Sequence, residues 1–186
     1  MVEAAYRLFA ERGYGVPLTD IAREAGVAVQ TLYFTFHSKA ELMQEVLSLA
    51  VLGDDLPLAP HQRPWFAKLV AEPDARKALR IMVDGTQPIF ERVAPLVGIF
   101  QTADPDLTTL WEHSEQLRLE GYRSPVMDAL AKKGRLKRGL DLDAGTDILF
   151  VLLAPQLYRE VVTRRGWSAE RWRKWIAETL ADAIFA

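Results

Sequence analysis

The sequence predicts an all-α protein, with a short three-helix unit at the N-terminus and a longer helical remainder. Three observations carry this. Apolar residues recur at three- and four-residue spacings, the period of one buried helix face. No segment alternates apolar and polar residues long enough to make a convincing strand. Glycines and prolines fall where the periodic stretches have to start, bend or stop.

The first helix spans residues 1–12, with Val2, Ala5, Leu8 and Phe9 as its stripe. Gly13 and Gly15 end it. Pro17 suits the first turn of the next helix, where its missing N–H would be unpaired anyway. Ile21, Ala22 and Ala25 form that helix's inner face, and Gly26 closes it and lets the chain reverse. Val29–Phe36 makes a third short helix with Leu32 and Phe36 four apart and inward, and Phe34 is expected to join the core. Gln30, Thr31, Tyr33 and Thr35 lie on the other faces. Gln bonds adenine in the major groove, and Thr offers a hydroxyl or touches a thymine methyl. Two short helices meeting at a glycine, with a third at once behind, can present one helix to a DNA major groove.

Ser38 reads as an N-cap, with Glu41 three residues on completing a capping box. Lys39 lies in the first turn of that helix, where its charge opposes the helix dipole, and a nearby phosphate would relieve the conflict. The linking helix covers 39–53, with Leu42, Val46, Leu49 and Ala50 inward.

From Gly53 to Pro64, three prolines and two aspartates predict a loop, with Asp54 and Asp55 as solvated charge. The joint divides the chain into units 1–50 and 51–186. Trp65–Val70 is a short helix. Pro73 opens a helical stretch to about residue 102, interrupted by Pro88 and Pro95. Pro105 opens another to about Lys132, interrupted by Pro125. Asp143–Thr163 follows with Pro155 inside, and Ser168–Phe185, N-capped by Ser168, ends the chain. Each internal proline should kink or break its helix, and bent helices can enclose a cavity or simply curve around a filled core. The basic run Lys132, Lys133, Arg135, Lys137 and Arg138 reads as a solvated loop with some helix C-terminal charge matching.

Composition narrows the function. The chain is 49% hydrophobic over 186 residues, sufficient for a sizeable core. It holds no apolar run of about 20 residues and no secretory signal pattern, so no membrane partner is expected. The absence of cysteine excludes disulfides and thiolate metal sites and fits a cytoplasmic location. His37, His61 and His113 are scattered, and there is no HxxxH pair, phosphate-binding glycine loop or nucleophile elbow. No catalytic residues, metal or cofactor are expected. The net charge is −2, and residues 1–55 set Arg7, Arg12, Arg23 and Lys39 against eight acidic side chains, a net of −4. Phosphate attraction supplies most non-specific affinity, so a DNA reader of this charge should bind random duplex weakly and rely on geometry and two-fold pairing.

Taken together, Gly13-Tyr14, Asp20-Ile21-Ala22, Ala25-Gly26-Val27, Thr31-Leu32-Tyr33, Phe36 and Ser38-Lys39 resemble the DNA-binding domain of the TetR (tetracycline-repressor-like) transcriptional regulators. The resemblance covers about the first fifty residues. Beyond it, Tyr158-Arg159 and Arg165-Gly166-Trp167 are similar to the dimerisation end of one branch of that family. It implies an N-terminal helix-turn-helix domain at 1–50 and a C-terminal helical ligand-binding and dimerisation domain at 51–186. Val29, Gln30 and Thr35 would face bases, while Thr31, Tyr33, His37 and Lys39 would hold phosphates. The sequence departs from the pattern at Pro17, where many relatives place a phosphate-touching threonine, so Thr19 is a displaced candidate contact. Relatives also carry a basic arm ahead of the first helix, and contacts from such an arm are not expected here.

The pocket implied by the resemblance draws on aromatic and polar residues concentrated between 65 and 122: Trp65, Phe66, Phe90, Phe100, Trp111, Glu115, Arg118 and Tyr122. Of these, Trp111, Glu115, Arg118 and Tyr122 share one helix face at i, i+4, i+7 and i+11. Taken singly, Glu115 and Arg118 read as an exposed pair and the aromatics as core. An apolar or aromatic effector is the expected ligand. The broad stripes of the last two helices suit a helix pair meeting its two-fold copy, through Leu149, Leu152, Tyr158, Val162, Trp172, Trp175, Ile176 and Leu180. The partners expected are thus a palindromic operator, a small effector and a second copy of the chain. Repression rather than activation follows from the resemblance alone. The alternatives are a helical adaptor that binds only protein, or an enzyme whose site is assembled from distant residues.

Overall fold

A computed structural model describes residues 1–53, 59–101 and 104–186. It contains only helices, turns and one isolated bridge between Leu136 and Phe185 among these residues. The helices are α1 Val2–Arg12, α2 Leu18–Glu24, α3 Val29–Phe36, α4 Lys39–Leu52, α5 Pro64–Ala71, α6 Ala75–Val93, α7 Val97–Phe100, α8 Pro105–Gly121, α9 Asp128–Ala131, α10 Leu142–Leu152, α11 Pro155–Tyr158 and α12 Ala169–Ile184. The loop expected around Asp54 and Asp55 lies outside the described residues.

Helix starts follow side-chain acceptors more closely than the prolines suggested. Ser38 and Ser168 cap α4 and α12 as expected, accepting from the Glu41 and Arg171 amides at 3.0 and 3.1 Å. The Ser38 box is one-sided, because the Ser38 N–H donates to the Phe36 carbonyl. Asp74, Asp104 and Asp141 cap α6, α8 and α10 in the same way. Pro105 opens α8 as expected, whereas α6 starts at Ala75, two residues after Pro73, and α10 at Leu142, one before Asp143. A short carboxylate that takes up an orphan amide of the first turn outweighs a proline that merely lacks one.

The internal prolines divide. Pro125 breaks its helix as expected: Ser124, ahead of it, is extended (φ −142°, ψ 124°), the conformation that the proline ring imposes on its predecessor. Pro155 likewise follows extended Ala154 and starts α11. Pro88 neither breaks nor ends α6, which runs on to Val93. Both Pro88 and Asp84, whose carbonyl loses its partner, are exposed, which lowers the cost of the unpaired group.

The core has two lobes, here called upper and lower in that order. One gathers α1–α4 around Phe9, Ile21, Leu32, Leu42 and Val46, and continues through Ile89 and Val93 to Leu96, Phe100 and Leu107. The other lies between α5, α6, α9, α10 and α12, around Leu79, Met82, Leu130, Leu149, Trp172 and Leu180. Helix α6 contributes to both. Lys133 is the C-terminal charge match expected of the basic run, but on another helix: its ammonium donates to the Val70 and Glu72 carbonyls at the end of α5, at 2.8 and 2.7 Å.

The lower lobe corrects the expected dimer face. Leu149, Tyr158, Trp172, Ile176 and Leu180 are buried inside the monomer. Helix α12 packs along α6, and Trp172 meets Phe90 and Tyr158 edge-on at 5.7 and 4.9 Å. A stripe claimed by α6 is no longer available to a second chain. Leu152, Val162 and Trp175 are half-buried.

Trp172→Ala should therefore destabilise the fold by about 3–5 kcal/mol. The loss should appear in the urea midpoint and be independent of protein concentration. A concentration-dependent loss would return Trp172 to the interface.

Candidate nucleic-acid interface and effector cavity

The turn between α2 and α3 is made by Gly26 at φ +67°, a left-handed conformation that strains any side chain with a Cβ. The reversal places α3 with Leu32 buried and Phe36 half-buried against the upper lobe. Phe34, expected inside, is 84% exposed. It lies two residues from both Leu32 and Phe36, about 200° around the helix, and so points away from the core that they enter. Thr31, Tyr33, Thr35 and Gln30 are exposed beside it, as are Thr19 and His37, while Val29 is half-buried. The Thr35 hydroxyl donates to the Thr31 carbonyl at 2.8 Å, which leaves its lone pairs outward. His37 ends α3 at φ +53°, a costly conformation for a residue with a side chain.

Lys39 departs from the expected phosphate role. Its ammonium donates to the Tyr14 carbonyl and lies 4.6 Å from the Tyr14 ring centroid. Partial burial pushes its pKa down. The other three cations of this domain are also engaged. Arg7 pairs with Glu24 at 3.0 Å, and Asp20 holds both Arg12 and Arg23, at 3.0 and 2.8 Å. The α1–α3 face thus carries hydrogen-bonding and aromatic groups with its positive charge already matched.

Beneath this unit is a cavity of about 470 Å³ between α4, α5, α6 and α8. Helix α8 brings Trp111, Glu115, Arg118 and Tyr122 to one wall, and Trp65 and Phe90 line it from α5 and α6. Phe66 and Phe100, also expected there, are not in the lining. Phe100 is buried behind Trp111, stacked at 4.9 Å, and Phe66 packs against the lower lobe with its edge on Trp65. Sequence reasoning missed the lining residues Thr86, Ile89 and Val93 on α6 and His61. They carry no pattern distinct from an ordinary helix face or turn.

Glu115 and Arg118 are less exposed than a surface pair, with side chains 18% and 14% accessible. Arg118 grips both carboxylate oxygens, at 3.0 and 2.8 Å. It also donates to the Phe150 and Leu153 carbonyls at 2.9 and 3.1 Å, and its guanidinium lies 3.8 Å from the Phe150 ring centroid. The Tyr122 hydroxyl donates to the same Leu153 carbonyl at 3.3 Å, and burial pushes that phenol's pKa up. The cavity wall is thereby bound to the C-terminal end of α10. Across the cavity, the Trp65 ring packs against Gly85, where a Cβ would come within 2.3 Å of the indole.

Two anchors join the cavity to the DNA-facing unit. Arg92, at the end of α6, donates to the Ala50 carbonyl of α4 at 2.8 Å, and its own carbonyl accepts from the Tyr6 hydroxyl of α1 at 2.9 Å. Arg63, ahead of α5, donates to the Leu52 carbonyl. Val51 and Leu52 of α4 themselves line the cavity.

The chain is thus a helix-turn-helix unit held on a helical body with an internal cavity. Residues 1–46, which cover most of the N-terminal unit, match the family described as bacterial regulatory proteins, tetR family. Solved structures share the fold over the whole chain. A transcriptional regulator from Saccharomonospora viridis in complex with choline is 24% identical, with a TM-score of 0.70 over 100% of this chain and 95% of its own. FadR from Bacillus subtilis in complex with stearoyl-CoA is 17% identical, with a TM-score of 0.76 over 98% and 97%. NalD, the secondary repressor of the MexAB-OprM multidrug efflux pump in Pseudomonas aeruginosa, is 21% identical, with a TM-score of 0.74 over 99% and 93%. A search of curated proteins returns no match. Among the described residues, no helix is long and apolar enough to cross a membrane, and no cluster of metal-ligating side chains occurs.

Phe34→Ala should leave stability within about 0.5 kcal/mol of the parent, because the ring touches little. Lys39→Met should lower it by about 1 kcal/mol through loss of the Tyr14 contacts. Thermal unfolding of the two variants checks the pair.

Proposed function

We propose that the chain is a dimeric transcriptional repressor that leaves a palindromic operator when a small apolar or aromatic molecule fills the cavity. The observation that carries this reading is the direct linkage of the two sites: α4 both supports the α2–α3 pair and lines the cavity. Residues 1–50 act as reader and 51–186 as sensor. On α3, Gln30, Thr35 and Val29 read base edges, and Thr31 and Tyr33 hold phosphates together with Thr19 and His37. Lys39 acts on phosphate only if it leaves Tyr14. Filling the cavity displaces α6 or α8, and Arg92 and Arg63 pass the change to α4. Operator affinity then falls by the difference in ligand affinity between the two arrangements.

The dimer face moves outward from the sequence expectation. Val151 at 65% and Leu142 at 45% exposure remain open on α10, and Trp167 meets Trp175 edge-on at 5.4 Å beside α12. Together with Leu152 and Val162 they form the apolar surface that a two-fold copy covers. The adaptor reading draws on one specific observation, the bare Phe34 ring on an acidic domain. An enzyme reading gains nothing from the cavity, whose charged pair is spent on itself.

Selection of random duplexes by the full chain should return one palindrome; no enrichment at low salt would sink the DNA reading and favour the adaptor. Gln30→Ala should change preference at one base position per half-site, whereas Tyr33→Ala should weaken all sequences alike. With no uncommitted cation on the reading domain, the slope of log K against log salt should be shallower than about −4, against roughly −10 for a phosphate-rich repressor. Val151→Glu should yield a monomer by sedimentation at micromolar concentration, with operator affinity lost in parallel.

A further inference from the structure

The outward face of α3 is centred on an apolar ring. Leu32 and Phe36 enter the upper lobe about 40° apart, and at about 100° per residue Phe34 falls directly opposite their midpoint. It is the most exposed large hydrophobic side chain among the described residues, at 84%. Gln30 lies about 40° from it on one side and Thr31 about 60° on the other, whereas Tyr33 and Thr35 are each about 100° round toward the flanks. A surface that meets α3 head-on therefore meets Phe34 first, with one amide and one hydroxyl beside it.

The surround decides what this ring fits. Gln30 and Thr31, a turn earlier, are exposed and polar, and so are His37 and Ser38 where the chain leaves the helix. A stable protein interface buries roughly 800 Å² on each side around an apolar centre, and a lone ring among amides and hydroxyls offers no such centre. The floor of the DNA major groove has the matching pattern. It is a polar surface of donors and acceptors whose main apolar features are the thymine 5-methyl groups, and phenylalanine contacts these. Such a contact also has a task in this domain. Arg7, Arg12 and Arg23 are paired with carboxylates and Lys39 is folded onto Tyr14, so affinity has to come from the groove more than from phosphate charge.

We infer that Phe34 is a base-reading residue that packs on the 5-methyl group of one thymine in each half-site of the operator. The inference rests on the DNA-binding reading above and adds to it a residue and a base. Gln30 and Phe34 are one turn apart, about 6 Å along the helix, so the thymine lies within about two base pairs of the base that Gln30 bonds.

The test uses the full chain and the palindrome that it selects. Each thymine is replaced in turn by deoxyuridine, symmetrically in both half-sites. The replacement removes the methyl group and leaves every hydrogen-bonding edge unchanged. At one position, within about two base pairs of the Gln30 position, it should weaken binding about fourfold per half-site, the worth of one buried methyl. Phe34→Ala should weaken the thymine duplex and bind the thymine and deoxyuridine duplexes equally at that position. The variant should keep the parent's preference at the base read by Gln30, which reports that its α3 is intact. A palindrome with no methyl-sensitive thymine, or a methyl sensitivity that survives Phe34→Ala, would overturn the assignment and leave the DNA reading in place. Failure to select any duplex would remove the DNA reading and the assignment with it.

Discussion

The structure depends on the end of α6, where one residue holds two domains in register. Arg92 reaches across to the last turn of α4 with its guanidinium and receives the Tyr6 hydroxyl of α1 on its carbonyl. Around it, Ile89 and Val93 belong to the upper lobe, while Met82, Val83 and Phe90 belong to the lower. A helix shared by two cores cannot shift in one without disturbing the other, because packed interiors move between discrete arrangements rather than deform smoothly. The linkage between cavity and reading helix is therefore a property of packing. It needs no flexible relay.

The cavity exists because its walls are interrupted. Helix α8 ends where Ser124 turns extended before Pro125, and α10 ends before Ala154 and Pro155. Neither wall can close over the space between them. The interruptions leave orphan carbonyls, and the wall supplies their donors: Arg118 and Tyr122 both bond Leu153. The same guanidinium neutralises Glu115. One side chain thus mends a helix end and removes the net charge from the cavity, which explains why it is so little exposed for an arginine.

The DNA-facing domain is arranged on the opposite principle from a high-affinity non-specific binder. Its arginines are spent on Glu24 and Asp20, and its lysine is folded onto Tyr14. These pairs stiffen α1, α2 and the start of α4 relative to one another, although exposed pairs add little stability each. The gain is a reading helix held at a defined angle. The loss is long-range attraction to phosphate. Under the proposed function, shape and two-fold spacing carry recognition in place of that attraction.

Much of the upper domain was legible in the residues. The glycine turn at Gly26, the span Val29–Phe36 and the Ser38 cap are local, decided by backbone sterics and the nearest amides, and the sequence alone determined them. The i, i+4, i+7, i+11 face of α8 was likewise readable, since helical geometry settles which side chains share a face. What that face meets is decided only by tertiary packing. Phe34 lies outside because Leu32 and Phe36 already fill the angle toward the core. Lys39 turns inward because Tyr14 offers a carbonyl and a ring. Trp172, Ile176 and Leu180 serve the monomer because α6 occupies the stripe that a partner chain was expected to claim. Hydrophobic periodicity says that a face will be buried and is blind to its partner, because the free energy of burial does not depend on which apolar surface does the covering.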